Sequence, residues 1–181
     1  AFSGGTIETT VRGMNTVTLS GTAEVKSNGT LDAPAGNFTQ TDSAIMAGRV
    51  NAADYAISSG TISGTVNAAT FSITGGEVTG TVNASTSFDL QDADGGTIAG
   101  TLGGVGTVNK TTASVVTLSG NNTYSGDTII TDGELIVIGS IASRKVLLSG
   151  GKLQAHGGSA IGDSVDIDVT GTGIFDLATS E

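Results

Sequence analysis

The sequence predicts an all-β fold, a single-stranded parallel β-helix with a right-handed winding expected, in which short strands stack coil upon coil. Three observations predict it. Related segments recur at offsets of 16 to 20 residues, with β-branched residues at matching places. Within each segment the apolar residues stand two apart, as on one face of a strand. Glycine and asparagine break the runs, and no hairpin dipeptide joins long partners.

Composition agrees. The 181 residues include 29 Gly, 1 Pro, no Cys and no Trp, and only 4% are aromatic. A globular core of this size would hold more large side chains, whereas a solenoid fills a narrow core with stacked medium-sized ones. Hydrophobic content of 37% and charged content of 13% argue against disorder. Seven basic residues face seventeen acidic ones, a formal charge of −10. That excludes a basic face for nucleic acid or an anionic membrane, and favours solubility. Absence of cysteine suits export in an unfolded state and is equally permitted in the cytosol. No run reaches the roughly 18 apolar residues of a membrane span, and no signal peptide opens the chain. Ala1 begins in mid-pattern and Glu181 ends without a cap. The expectation is one continuous β-helix over residues 1–181, cut from a larger protein.

Taken in order, Gly5-Thr6-Ile7 to Val11 carries the skeleton of the later repeats. Residues 32–40, which contain the one proline, Pro34, read as a loop leaving the coil. Met46, Val50, Ala53 and Ile57 fit either a helix face or a strand. Their copies decide for strand: Gly60 to Thr70 and Gly76 to Thr86 match at an offset of 16 and are rich in glycine and β-branched residues. Gly96 to Leu102 follows at an offset of 20.

Equivalent positions should stack about 4.8 Å apart. Met46, Ile62, Val78 and Ile98 form one interior column, and Val50, Val66, Val82 and Leu102 a second. Tyr55, Phe71 and Phe88 form an aromatic column, with Phe88 and the following Leu90 one residue late. Asn51, Asn67 and Asn83 predict an amide ladder at a turn. Thr65, Thr81 and Thr101 form an outward column that Arg49 interrupts. Further on, Val116 and Leu118 share a face, Gly120 to Asn122 break the strand, and Thr128 and Ile130 share the next face. Asp132-Gly133 turns, Leu135 and Val137 share a third face, and residues 145–154 read as strand, turn, strand. Val165, Ile167 and Val169 alternate with aspartates, as do Phe175 and Leu177.

Residues 104–137 resemble the passenger-associated repeat of bacterial autotransporters. The matching residues are Thr117-Leu118-Ser119-Gly120, Asn122-Thr123-Tyr124-Ser125-Gly126, Thr128, Ile130, Gly133, Leu135 and Val137. The match is best over residues 104–153. The resemblance implies a β-helical passenger, exported through its own outer-membrane β-barrel and extracellular, at the cell surface or secreted. It implies a monomeric rigid stalk that acts as an adhesin or host-interacting virulence factor. The partner would be a host-cell surface or matrix molecule, with no nucleic acid and no membrane insertion by this segment.

Chemistry-bearing motifs are sparse. Gly162-Asp163-Ser164-Val165 is similar to the nucleophile block of a serine esterase family, and His156 is the single histidine. That family needs a base oriented by a carboxylate in an Asp-x-x-His placed after the serine; here His156 precedes Ser164 and no such motif exists. Asp92-Ala93-Asp94-Gly95 looks like part of a calcium loop, but Leu90 and Thr101 stand where acids are required. The expectation is a non-enzyme with no catalytic, metal-binding or cofactor residues. Two alternatives remain: a polysaccharide-processing β-helix, against which stand the scattered basic residues and the absence of a tryptophan platform, and an ice-binding solenoid, whose threonine column Arg49 and the drift from 16 to 20 would spoil. Finally, side-chain size predicts that the coils from Thr117 to Leu153, with Leu118, Ile130, Leu135, Val137, Val146 and Leu148 inside, are more strongly packed than those from Ala44 to Gly104.

Overall fold

The computed structural model describes residues 1–92 and 95–178. They form strands joined by corners and contain no helix. Every strand pair is parallel, as the repeats predict. Two sheets make up most of the rod, one of ten strands and one of eleven, with a two-stranded third sheet pairing Asn121–Asn122 with Ser140–Ile141. The chain passes from sheet to sheet and returns one coil further along. Coil length follows from the register: Ile45 pairs Thr61 and Thr61 pairs Glu77, 16 residues apart, whereas Gln154 pairs Asp176 at 22.

One corner repeats with little change along most of the rod, from Gly29 to Gly139. Gly29, Gly48, Gly64, Gly80, Gly100, Gly120 and Gly139 stack there. A Cβ on any of the last six would lie under 3.0 Å from the carbonyl oxygen of the glycine before it. The corner draws two consecutive N–H groups onto one carbonyl: Thr79 and Gly80 both donate to Ile62 O at 2.9 and 3.0 Å. The next residue then donates to the preceding glycine, as Thr81 N does to Gly64 O at 2.9 Å. A side chain would force the coils apart and break these bonds. A second corner, before the strands of the ten-stranded sheet, needs left-handed backbone instead. Gly60, Gly76, Gly133 and Gly151 supply it, with φ of 87°, 96°, 67° and 67°.

Inside, the predicted columns form. Met46, Ile62, Val78 and Ile98 are in register and fully buried, as are Val50, Val66, Val82 and Leu102. The late arrival of Phe88 is a bulge between Ala84 and Ser87 that restores its pairing with Phe71. The aromatic column is longer than the repeats suggest. Phe38 stacks on Tyr55 at 4.6 Å between ring centroids, and Tyr124 meets Phe88 at 5.9 Å. Each such pair adds about 0.5–1.5 kcal/mol beyond its burial.

Three expectations change. Residues 32–40 are not a loop: they lie in the 11-residue strand Thr30–Gln40. Its register shifts between Ala33 and Asn37, so Pro34 sits exposed on a bulge, where its missing N–H breaks no ladder bond. Asn121–Asn122 does not only end a strand but begins the third sheet. The expected difference in packing across Thr117 is not seen: Met46, Tyr55, Ile57, Phe71 and Phe88 before it and Leu118, Ile130, Leu135, Leu148 and Leu153 after it are all fully buried.

Candidate functional site

Ser164 stands exposed in the turn before the strand Asp166–Val169 of the eleven-stranded sheet. His156 ends Lys152–His156 in the ten-stranded sheet. Among the described residues no hydrogen bond joins them. The Val165 N–H donates to Gly162 O at 3.1 Å, which closes the turn. The Asp92–Gly95 fragment includes Ala93 and Asp94, which lie outside the described residues. Among the described residues no group of three or more His, Cys, Asp or Glu is placed to hold a metal ion.

The asparagine ladder forms, but not at a turn. Asn51, Asn67 and Asn83 lie within the long strands Arg49–Ile57, Thr65–Ile73 and Thr81–Leu90, on their outward side. Asn83 Nδ2 donates to Asn67 Oδ1 at 2.9 Å, Asn67 Nδ2 to Asn51 Oδ1 at 2.9 Å, and Asn51 Nδ2 to Asp32 Oδ1 at 3.2 Å. All amides therefore point one way, toward a carboxylate that Arg12 approaches at 3.8 Å. At the other end the row stops because Gly103 has no side chain: a Cβ there would meet Asn83 Oδ1 at 2.5 Å. Beside the ladder, at the bend of the long strands, run two shallow depressions of about 360 and 260 Å3. Asn67, Ala68 and Ser85 belong to both, and Val105, 64% exposed, bounds one end. Thr65, Thr81 and Thr101 are in register on the same face, with Arg49 preceding them. The change of repeat from 16 to 20 leaves that register intact, because the extra residues enter elsewhere in the coil.

Sequence reasoning missed the buried polar groups. Lys110 lies in the interior column between Leu90 and Ile130 and is fully buried. Its ammonium donates to Thr112 O, to Thr112 Oγ1 at 3.2 Å and to Asp132 O at 3.4 Å. Burial holds it below the ordinary lysine value, and the Asp132 charge opposes that. Gln40 occupies the same column ahead of Ile57; it donates to Ala44 O at 2.7 Å and Thr61 O at 3.1 Å, and accepts from the Tyr55 hydroxyl. Tyr124 Oη meets Thr128 Oγ1 at 2.7 Å, and Thr128 donates to Ser143 at 3.0 Å. Burial pushes both tyrosine hydroxyls well above their usual value; for Tyr124 the Thr128 hydrogen bond opposes this. The column offsets were the available signal: position 110 follows Leu90 by the same 20 that relates Gly76 to Gly96.

Fold and faces together define a parallel β-solenoid with polar outward ladders. Over 56 residues, 31% of this chain, the sequence is 41% identical to the extracellular serine protease of Serratia marcescens. The matched stretch spans 5% of that protein's length. No protein-family model and no solved structure matches the chain.

Proposed function

We propose that this chain is a β-helical passenger segment of a secreted or surface-displayed bacterial autotransporter. In this reading it is a rigid, non-enzymatic stalk that carries polar faces outward to a host-cell surface or matrix molecule. The observation that carries the reading is the local identity to an extracellular bacterial protein in a chain that is solenoid along all its described residues. The likeness is to 5% of a protease, and Ser164 stands in a turn leading into the eleven-stranded sheet while His156 ends a strand of the ten-stranded one. The similarity is therefore taken as one of stalk rather than of catalytic machinery. The resemblance of residues 117–137 to the passenger-associated repeat adds support to the passenger reading.

Fusion of the chain ahead of an outer-membrane β-barrel translocator tests the proposal. The expected result is display on intact cells, where added protease removes it. Retention inside the envelope, while a known passenger on the same barrel is displayed, would overturn it. Any hydrolytic activity found in the purified chain should survive Ser164→Ala and His156→Ala unchanged.

A further inference from the structure

The strand Ile174–Ala178 is held by little apolar burial: Ile174 and Leu177 are 55% and 68% exposed, and Phe175 is only partly buried. Its register against Lys152–His156 sets Asp176 opposite Gln154 and Ile174 opposite Lys152. Lys152 Nζ lies 2.8 Å from Asp176 Oδ2 and 3.1 Å from Glu134 Oε1. Glu134 pairs with Lys152 in the coil on the other side. Gln154 Nε2 donates to Asp176 Oδ2 at 3.2 Å. One ammonium thus bridges carboxylates from the coils above and below it.

We propose that this three-coil clasp is released by acid: proton uptake at Asp176 frees the strand Ile174–Ala178 while the coils built on rings and amides stay paired. Among the described residues, the charged and titratable groups facing Asp176 are Lys152 and His156 from the neighbouring strand, and Glu134 from the strand beyond shares Lys152. The Lys152 hydrogen bond, and then its charge, hold the Asp176 carboxyl below its usual range against some desolvation; Gln154 and His156 act in the same direction. A carboxyl lowered in the folded state gives stability that is present above its ordinary value of about 3.9 and is lost as pH falls through the lower folded value. Lys152, raised by the same contacts, stays charged throughout that range. By contrast, the Asn51–Asn67–Asn83 amides and the stacked rings gain no proton there; the carboxylates that touch them or their strands include Asp32, at the end of the amide row, and Asp54, which accepts from Thr70.

Amide hydrogen exchange on the whole chain, corrected for intrinsic rates, tests the clasp. From pH 6 to pH 2.5, protection in Ile174–Ala178 should fall about three- to fivefold, the range of an exposed ion pair, while that in Thr65–Ile73 falls less than about 1.5-fold. Parallel loss in both strands, or no loss in either, would overturn it. In Lys152→Met, protection of Ile174–Ala178 at pH 6 should already be near the wild-type acid level and lose most of its pH dependence, Gln154 and His156 leaving only a remnant. Lys152→Arg should restore the dependence. Full pH dependence in Lys152→Met rules the clasp out. So does unchanged protection of wild type in about 1 M salt at pH 6, because exposed ion pairs are screened there.

Discussion

At the scale of the residue, the tightest demand in this chain is for the absence of an atom. Gly80 sits over Gly64 and under Gly100 in the stacked corner, and a Cβ on Gly80 would meet the Gly64 carbonyl oxygen at under 3.0 Å. The obstructing atom is backbone and already accepts a hydrogen bond from Thr81, so nothing flexible can yield. Gly80→Ala should therefore cost about 4 kcal/mol or more, in the range reserved for specific structural damage. Gly158→Ala is the control, since a Cβ there would meet nothing within 4 Å. Urea midpoints read the difference, and similar midpoints would contradict the tight corner. Lys110 shows the opposite tolerance. A charged side chain is accepted in an apolar column because backbone carbonyls at the adjoining corner receive its ammonium.

At the scale of the element, the aromatic column brings five rings together across six coils from Phe38 to Tyr124, and polar pairs anchor its tyrosines. Both tyrosine hydroxyls are raised by burial, so their contribution is intact below the ordinary tyrosine value of about 10 and lost as pH rises beyond it. Lys110, lowered by burial, works the other way and gains stability as pH climbs toward about 10.5. The double variant Tyr55→Phe, Tyr124→Phe should flatten the fall in melting temperature above about pH 10 while lowering stability at pH 7 by about 1–2 kcal/mol for the lost hydrogen bonds. An unchanged alkaline profile would exclude this origin. The middle of this column was legible in the sequence, because Tyr55, Phe71 and Phe88 recur with nearly constant spacing. Its ends were not. Phe38 was hidden in a segment whose proline argued for a loop, since sequence alone does not reveal a bulge. Gln40 and Lys110 were hidden because polarity argues for an outward face unless the corner carbonyls are known. The asparagine row could be read from its repeat, but its mid-strand position and its Asp32 terminus depend on pairing across coils.

For the whole molecule, stability should be uneven along the rod, as expected where each coil contacts only its neighbours. Side-chain size favours the coils from Thr117 to Leu153, but the stacked rings Phe38 to Phe88 lie before them, and full burial of large aliphatic residues runs on both sides as far as Leu153. Residues 157–159 and 162–164 are exposed and lead to a thinly covered strand. Dilute protease should therefore cut first between His156 and Val165 and leave a fragment that retains Phe38 to Val137. Mass spectrometry over a time course reads it. Survival of a piece beginning near Gly104 and extending past His156 would show that ring burial does not set the order of opening.

The glycine corner also bears on how such a rod can change length over evolution. Coils of 16 and 20 residues meet at it with the same backbone contacts, because the extra residues enter at other places in the turn. A gene duplication that begins and ends at this corner would hand each new coil a compatible seam on both sides. Insertions elsewhere in a coil can vary in size, whereas one placed between Thr79 and Thr81 would sever the seam. The corner thus works as a splice point: it lets the rod lengthen by whole coils and confines sequence novelty to the remaining faces.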